Sequence, residues 1–191
     1  DYPAGLTTDV TITVSAPTTF VTPGRTYGGF YSLLLDFNQD TEFYLTLEGG
    51  GNCTIDGGSL GGFKFNHCSN IIIKDVDFVN IANNIYDYAP EQTCAIFAQG
   101  TSDHKENNFV VDNCSVDGSV VDSEGTTQLG WFSFVFKYYK SVSMTKTTVT
   151  GLAAVGIDFT GVNAVSLSSI SFTGNVAKAG IISQPTLALV K

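Results

Sequence analysis

The residues of this chain that could act on a ligand gather in three polar stretches. Residues 83–91 read Asn-Asn-Ile-Tyr-Asp-Tyr-Ala-Pro-Glu, residues 102–106 read Ser-Asp-His-Lys-Glu, and residues 122–128 lead into the single tryptophan. Aromatic rings stack on the apolar faces of sugars, and carboxylates hydrogen-bond to sugar hydroxyls. We therefore predict that these stretches bind a neutral glycan through Tyr86, Asp87, Tyr88, Glu91, His104 and Trp131.

Histidine titrates near neutral pH, so His104 is also a candidate acid or base. Plainer interpretations stay open, namely an exposed polar loop around His104 and a Trp131 that only covers the core. The second histidine, His67, adjoins Cys68, and we expect it to hydrogen-bond to the carbonyl group of a turn. The residue types alone identify no catalytic residue.

Charge narrows the classes of partner. The 191 residues carry 18 acidic and 9 basic side chains, a net charge of −9, and Arg25 is the only arginine. Phosphate binding needs clustered Lys or Arg, so we expect no nucleic acid partner. No stretch approaches the roughly 20 apolar residues of a membrane helix, so we expect no membrane insertion.

Metal and cysteine patterns predict no cofactor. The four cysteines form no CxxC pair and have no histidine at zinc-ligand spacing. Calcium binding stays open although the sequence contains no calcium-binding motif. The reason is that four acidic residues fall on outward strand positions or turns, namely Asp75, Asp77, Asp112 and Asp117. Cys53 and Cys114 are expected to be buried thiols too far apart for a disulfide, whereas a Cys68–Cys94 pair stays open.

A recurring strand pattern is the main structural signal. Aligning its copies gives three nearly apolar columns: Ile55, Phe78, Val116, Val149 and Phe172; Cys53, Val76, Cys114, Thr147 and Ile170; and Ile73, Val111, Met144 and Leu167. The copies in the first column are 23, 38, 33 and 23 residues apart. A basic repeat of 23 residues with inserted loops, and with every second side chain pointing inward, fits these spacings.

A second strand precedes each copy, with inward pairs Phe63/Phe65, Phe134/Phe136 and Ile157/Phe159, and we expect Phe97 to take this role before Phe109. Helical crossovers need at least a dozen residues, too many for this spacing, so the chain must coil. We predict one all-β domain, a right-handed parallel β-helix of about six coils. Residues 1–47 form the opening coils and 48–187 the regular ones, with loops inserted at 80–94, 100–108 and 119–130.

One phrase of the sequence resembles the pectin-lyase-like parallel β-helix superfamily. It runs from Asn52-Cys-Thr-Ile-Asp-Gly-Gly58 through Gly62-Phe-Lys-Phe-Asn66 to Ser69-Asn-Ile-Ile-Ile-Lys-Asp-Val-Asp-Phe78. The resemblance implies this fold. Because the superfamily contains polysaccharide lyases and glycoside hydrolases, it also makes these the first activities to consider. The Asn-Thr-Asp, Asp-Asp and Gly-His-Gly sequences of polygalacturonase-type enzymes are missing. Lys64, Lys137 and Asp158 are expected to be solvated surface charges.

The functional expectation is therefore a non-catalytic extracellular β-helix, on a cell or virion surface, that serves as a structural, adhesive or glycan-binding module. A polysaccharide lyase or hydrolase with its site among the loops is the first alternative, and a viral tailspike or fibre segment the second. The chain starts at Asp1 without Met, so we expect a removed leader or a larger parent chain. The final coil near 180–190 reads as uncapped, which predicts a flanking domain or self-association.

Overall fold

The computed structural model describes residues 6–21, 33–36, 41–81, 94–121, 127–173, 179–183 and 188–189. Within these ranges the chain is all-β and contains no helix, hence none that could span a membrane. The strands are β1 Val10–Thr13, β2 Thr18–Val21, β3 Leu33–Asp36, β4 Leu45–Leu60, β5 Phe63–Asn66, β6 Ile71–Ile81, β7 Ile96–Gln99, β8 Glu106–Asp112, β9 Ser115–Asp117, β10 Ser119–Val121, β11 Thr127–Lys137, β12 Tyr139–Thr145, β13 Thr148–Thr150, β14 Leu152–Thr160, β15 Ala164–Ser168, β16 Ser171–Thr173, β17 Ala179–Ser183 and β18 Ala188–Leu189.

All of these strands except β10 form three parallel stacks. The first stack contains β1, the start of β4 and of β6, then β8, β12, β15 and β18. The second contains β2, the later parts of β4 and β6, then β9, β13 and β16. The third is β3, β5, β7, β11, β14 and β17. The described chain passes through the three stacks in this order six times and returns to the first stack once more at β18, and each pass adds one strand beside the previous one.

Two predicted core columns are confirmed by the strand register. Ile55 pairs with Phe78, Phe78 with Val116, Val116 with Val149, and Val149 with Phe172. The column of Ile73, Val111, Met144 and Leu167 is likewise in direct register. Aromatic rings bridge the stacks, with the Phe109 ring 5.2 Å from that of Phe65 and 5.1 Å from that of Phe136. Successive strands therefore shield one continuous core.

Left-handed residues turn the chain at equivalent positions between the first and second stacks. Asp75, Asn113, Lys146 and Ser169 have φ between 47° and 57°. The amide of Asn113 donates to Thr145 O and that of Lys146 to Ser168 O, which links successive turns. Asn and Asp tolerate this conformation better than most residues. The shared bend aligns their side chains along one outer corner of the molecule.

The prediction that Phe97 points into the core beside the other inward pairs is wrong. Ile96 and Ala98, not Phe97, stand in register with the inward pairs Phe63/Phe65 and Phe134/Phe136. Phe97 faces the other side, in register with Lys64 and Val135, where it is buried with Cys94 and Val135.

The charges on this outer side are also less solvated than expected. The Nζ atoms of Lys64 and Lys137 lie 5.4 and 5.5 Å from the centre of the Phe97 ring. Asp158 is only 9% exposed. The two lysines thus lie over one aromatic ring, and Asp158 accepts a hydrogen bond from Thr160 Oγ1.

Two predicted insertions contain strand residues. Residues 106–108, expected in a loop, begin β8 because Glu106 pairs with Tyr139 and Asn108 with Ser141. The insertion at 119–130 contains the antiparallel pairing of β10 with β11. Most of the insertion at 80–94 lies outside the described residues.

Candidate functional site

A polar groove runs along the corner between the first and second stacks. Its volume is about 280 Å³, and its lining residues are Gly51, Asp75, Asp77, Asn113, Cys114, Ser115, Lys146 and Thr148. They come from successive strands, because the left-handed bends place equivalent positions beside one another. Carboxylate, amide, hydroxyl and ammonium groups therefore lie side by side along the groove.

Hydrogen bonds across the strands hold the groove side chains. Asn113 Nδ2 donates to Asp75 Oδ1 at 2.6 Å, and Ser115 Oγ donates to Asp77 Oδ1 at 2.5 Å. Lys74 Nζ lies 3.9 Å from the other oxygen of Asp75. Because each aspartate is oriented by a neighbouring strand, the groove presents fixed acceptors to a ligand rather than freely rotating side chains.

Cys114, whose thiol lines the groove, is not a reactive cysteine. Burial raises the pKa of Cys114 to about 12, and the nearby aspartates add to the effect. Burial likewise raises the pKa of Cys53, with a smaller contribution from Asp77. The thiolate is the nucleophilic form of cysteine, so both thiols are unreactive near neutral pH. Their predicted burial as thiols is confirmed, and the groove is suited to binding rather than covalent chemistry.

Two of the four aspartates considered for calcium lie outside the groove lining. Asp112 Oδ1 accepts a hydrogen bond from Thr145, and Asp117 Oδ1 accepts from the amide and hydroxyl of Ser119. Within the described ranges, no group of three or more His, Cys, Asp or Glu side chains could hold a metal ion. The carboxylates here bind neighbouring hydroxyls and amides.

A second polar cluster lies where the chain leaves the third stack for the first. Glu106 is only 1% exposed. Its Oε2 atom accepts a 2.6 Å hydrogen bond from Ser69 Oγ. Ser69 Oγ also accepts a hydrogen bond from the backbone amide of Asn107. Glu106 Oε1 has no hydrogen-bond partner in the structure and lies 3.8 Å from Nδ1 of the partly exposed His67. A buried carboxylate beside a surface imidazole can orient that ring as an acid or base.

Tyr139 and Gly100 lie next to this cluster around Glu106. Tyr139 donates to Cys68 O at 2.8 Å, and burial, with smaller contributions from Cys68 and Glu106, raises the pKa of Tyr139 well above its usual value. A Cβ atom at Gly100 would lie 3.0 Å from Glu106 Cγ and 3.2 Å from His104 O, so the chain around His104 passes close to Glu106.

His67 differs from its predicted role, whereas His104 lies in an exposed polar loop, one of its two predicted interpretations. His67, expected to bond to a turn carbonyl, has a buried carboxylate as its neighbour. His104 has an exposed side chain, and its backbone bonds to Thr101 in a tight turn.

The remaining predicted site residues are only partly located. Tyr86, Asp87, Tyr88 and Glu91 lie outside the described residues, and Trp131 lies in β11 with its side chain outside the described set. Their convergence into one site thus stays a prediction.

Both observed clusters contain residues that sequence reasoning passed over. Asp75, Asn113 and Lys146 each lie two residues beyond an interior residue of one core column, and this shared offset is a readable signal for the groove. No spacing in the sequence predicts that Glu106 lies near His67, because only the pairing of strands brings these two residues together.

Comparisons with protein-family models, curated proteins and solved structures find no match for this chain.

Proposed function

We propose that the three strand stacks are the faces of a right-handed parallel β-helix of about six coils, of the pectin-lyase-like type. The repeated order of the stacks and the register of the core columns support this architecture. The handedness follows from a general rule, since crossovers between parallel strands are right-handed in almost all proteins.

On this scaffold, we propose a non-catalytic extracellular module that binds a neutral glycan along the polar groove. The observation that carries the proposal is the file of fixed acceptors and donors formed by Asp75, Asp77, Asn113, Ser115 and Lys146. Sugar hydroxyls donate to carboxylates and accept from amide and ammonium groups, so the groove matches their mixed character.

Charge and size favour a short stretch of neutral sugar. The net charge of −9 and the groove aspartates repel an anionic polysaccharide. A volume of about 280 Å³ lies at the lower end of the range of small-molecule sites, which suits one or two sugar rings. A shallow groove gives modest affinity at a single site, as expected of an adhesive or structural surface protein that binds repeating ligands.

The test is a binding screen with neutral oligosaccharides, followed by calorimetry on the glycan that binds. Asp77→Ala and Asn113→Ala should each weaken binding by roughly tenfold, the cost of about 1.4 kcal/mol of hydrogen bonding. Asp103→Ala is the matched control, because it removes an exposed aspartate outside the groove lining. Equal loss in the control, or loss only in Tyr86→Ala or Trp131→Ala, would refute the groove as the site.

A carbohydrate-active enzyme, lyase or hydrolase, is the second candidate. The observation in its favour is Glu106, a buried carboxylate with an oxygen 3.8 Å from the imidazole of His67. In this candidate His67 is the general base, positioned by Glu106, near the predicted loop site of His104. Glycans would be screened for new reducing ends and for absorbance of unsaturated products, with and without Ca²⁺. Glu106→Gln should abolish any turnover, whereas silence across a broad panel rejects the enzyme.

A further inference from the structure

A row of polar side chains runs across the outer face of the second stack. One residue of each strand stands in direct register with the next, and these six residues form the polar row: Thr19, Thr54, Asp77, Ser115, Thr148 and Ser171. Five carry a hydroxyl group and one a carboxylate, and each is exposed or partly exposed. Because neighbouring strands lie about 4.8 Å apart, the row presents a hydrogen-bonding group at that interval.

The polar row extends beyond the groove on the β16 side. Asp77, Ser115 and Thr148 line the groove, whereas Ser171 lies one strand further along the row and is exposed. The corner beside the row continues in the same direction, since Ser169 is the next left-handed residue after Lys146 and is exposed as well. A ligand longer than the groove therefore finds further donors and acceptors on this side.

Extra residues at the corner of β4 bound the groove on the β2 side. Residues 49–52 occupy the place that Asp75 alone takes in β6, because the positions on either side keep their register. The three extra residues therefore project outward from the corner. Gly51, which is exposed, belongs to this projection and lines the groove. The groove is thus bounded at one end and open at the other.

We propose that the ligand of the groove is an unbranched, extended neutral glycan that lies across the strands. One end of the glycan lies against the projection at Gly51, and its further rings lie over Thr148 and Ser171. The inference rests on the glycan-binding function proposed above, and it specifies the class and the direction of the ligand.

The strand spacing favours a straight sugar chain. Equatorial linkages keep a chain of pyranose rings extended, and each ring then advances the chain by close to the distance between neighbouring strands. Successive rings therefore meet successive members of the polar row. Sugar hydroxyls donate to the carboxylate of Asp77, and they both donate to and accept from the hydroxyls of Ser115, Thr148 and Ser171. An axial linkage bends the chain away from the row after the first rings.

Calorimetry with neutral oligosaccharides of increasing length tests the proposal. The probes are oligomers of cellulose, mannan, xylan and chitin, whose linkages are equatorial, and starch oligomers, whose linkage is axial. In the straight series that binds, affinity should rise about fivefold for each added ring, the gain of one hydrogen bond. The rise should end at the tetrasaccharide, since four strands carry the row from Asp77 to Ser171. Starch oligomers should show no such rise.

Two exposed hydroxyls of the same row provide a variant and its matched control. Ser171→Ala should weaken binding of the tetrasaccharide about fivefold and leave binding of the disaccharide unchanged, because Ser171 lies outside the groove lining. Thr19→Ala removes an exposed hydroxyl on the other side of the projection and should change neither. Circular dichroism checks that both variants are folded.

Three results would overturn the proposal: affinity that is independent of chain length, starch oligomers that gain affinity as the straight chains do, or equal losses in Ser171→Ala and Thr19→Ala. If Asp77→Ala still weakens binding in these cases, the groove remains a glycan site and only the class and direction of the ligand are wrong. No binding of any neutral oligosaccharide would overturn both this proposal and the function on which it rests.

Discussion

Phe78 and Phe20 occupy the same column but have opposite surroundings. Phe78 is fully buried between Ile55 and Val116, whereas Phe20 has Ile55 on one side and is 48% exposed. Residue type and register are the same, so the difference comes from the number of neighbouring strands. In this architecture each strand is stabilised mainly by the strands on either side of it.

The largest expected effect is the loss of an aromatic ring between two strands. Phe78→Ala removes a buried side chain and leaves a cavity, so the free energy of unfolding should fall by about 3–5 kcal/mol. Urea denaturation followed by tryptophan fluorescence measures it. A fall below about 1 kcal/mol would show that the neighbouring coils collapse into the space, contrary to a rigid column.

A glycine between two strands should be nearly as sensitive. A Cβ atom at Gly49 would lie 2.0 Å from Asp75 O on the adjacent strand, so Gly49→Ala should cost about 3 kcal/mol through a backbone shift. The control is Gly51→Ala, where nothing lies within 4 Å but φ is +72°. That variant should cost about 1 kcal/mol through backbone strain alone, and equal losses in thermal unfolding would contradict the distinction.

Burial between strands should also appear as a pH dependence. The pKa of Cys114 is raised from 9.0 to about 12, so the unfolded chain loses this proton at lower pH than the folded one. The stabilising contribution is fully present below about pH 9 and is lost as pH rises toward 12, by up to about 1.4 kcal/mol per pH unit. Denaturation at several alkaline pH values should show a shallower slope in Cys114→Ala; parallel slopes would argue against a buried thiol.

The smallest effect is expected at the exposed end of the column. Phe20→Ala should change the free energy of unfolding of the monomer by less than about 1 kcal/mol, because much of the ring is already in water. Urea denaturation of dilute protein measures the change. A loss as large as that of Phe78→Ala would mean that Phe20 is covered in solution.

Sequence periodicity predicted the columns well and the outer surfaces poorly. Ile73, Val111 and Met144 could be aligned because an alternating strand fixes which side chains face inward. The same reasoning failed at Phe97, where an aromatic residue was taken as the core position and the register is one residue away, at Ile96 and Ala98. A slip of one residue moves a side chain to the opposite face.

By itself the sequence determined the all-β class, the parallel stacking of repeats and the interior columns, because these depend on alternation within each strand and on similarity between repeats. Only the tertiary structure decided the groove of Asp75, Asp77 and Asn113 and the approach of Glu106 to His67. Both depend on side chains from different strands, brought together by backbone hydrogen bonds and left-handed bends. Distances of that kind are set by register between strands, which no local stretch of sequence encodes.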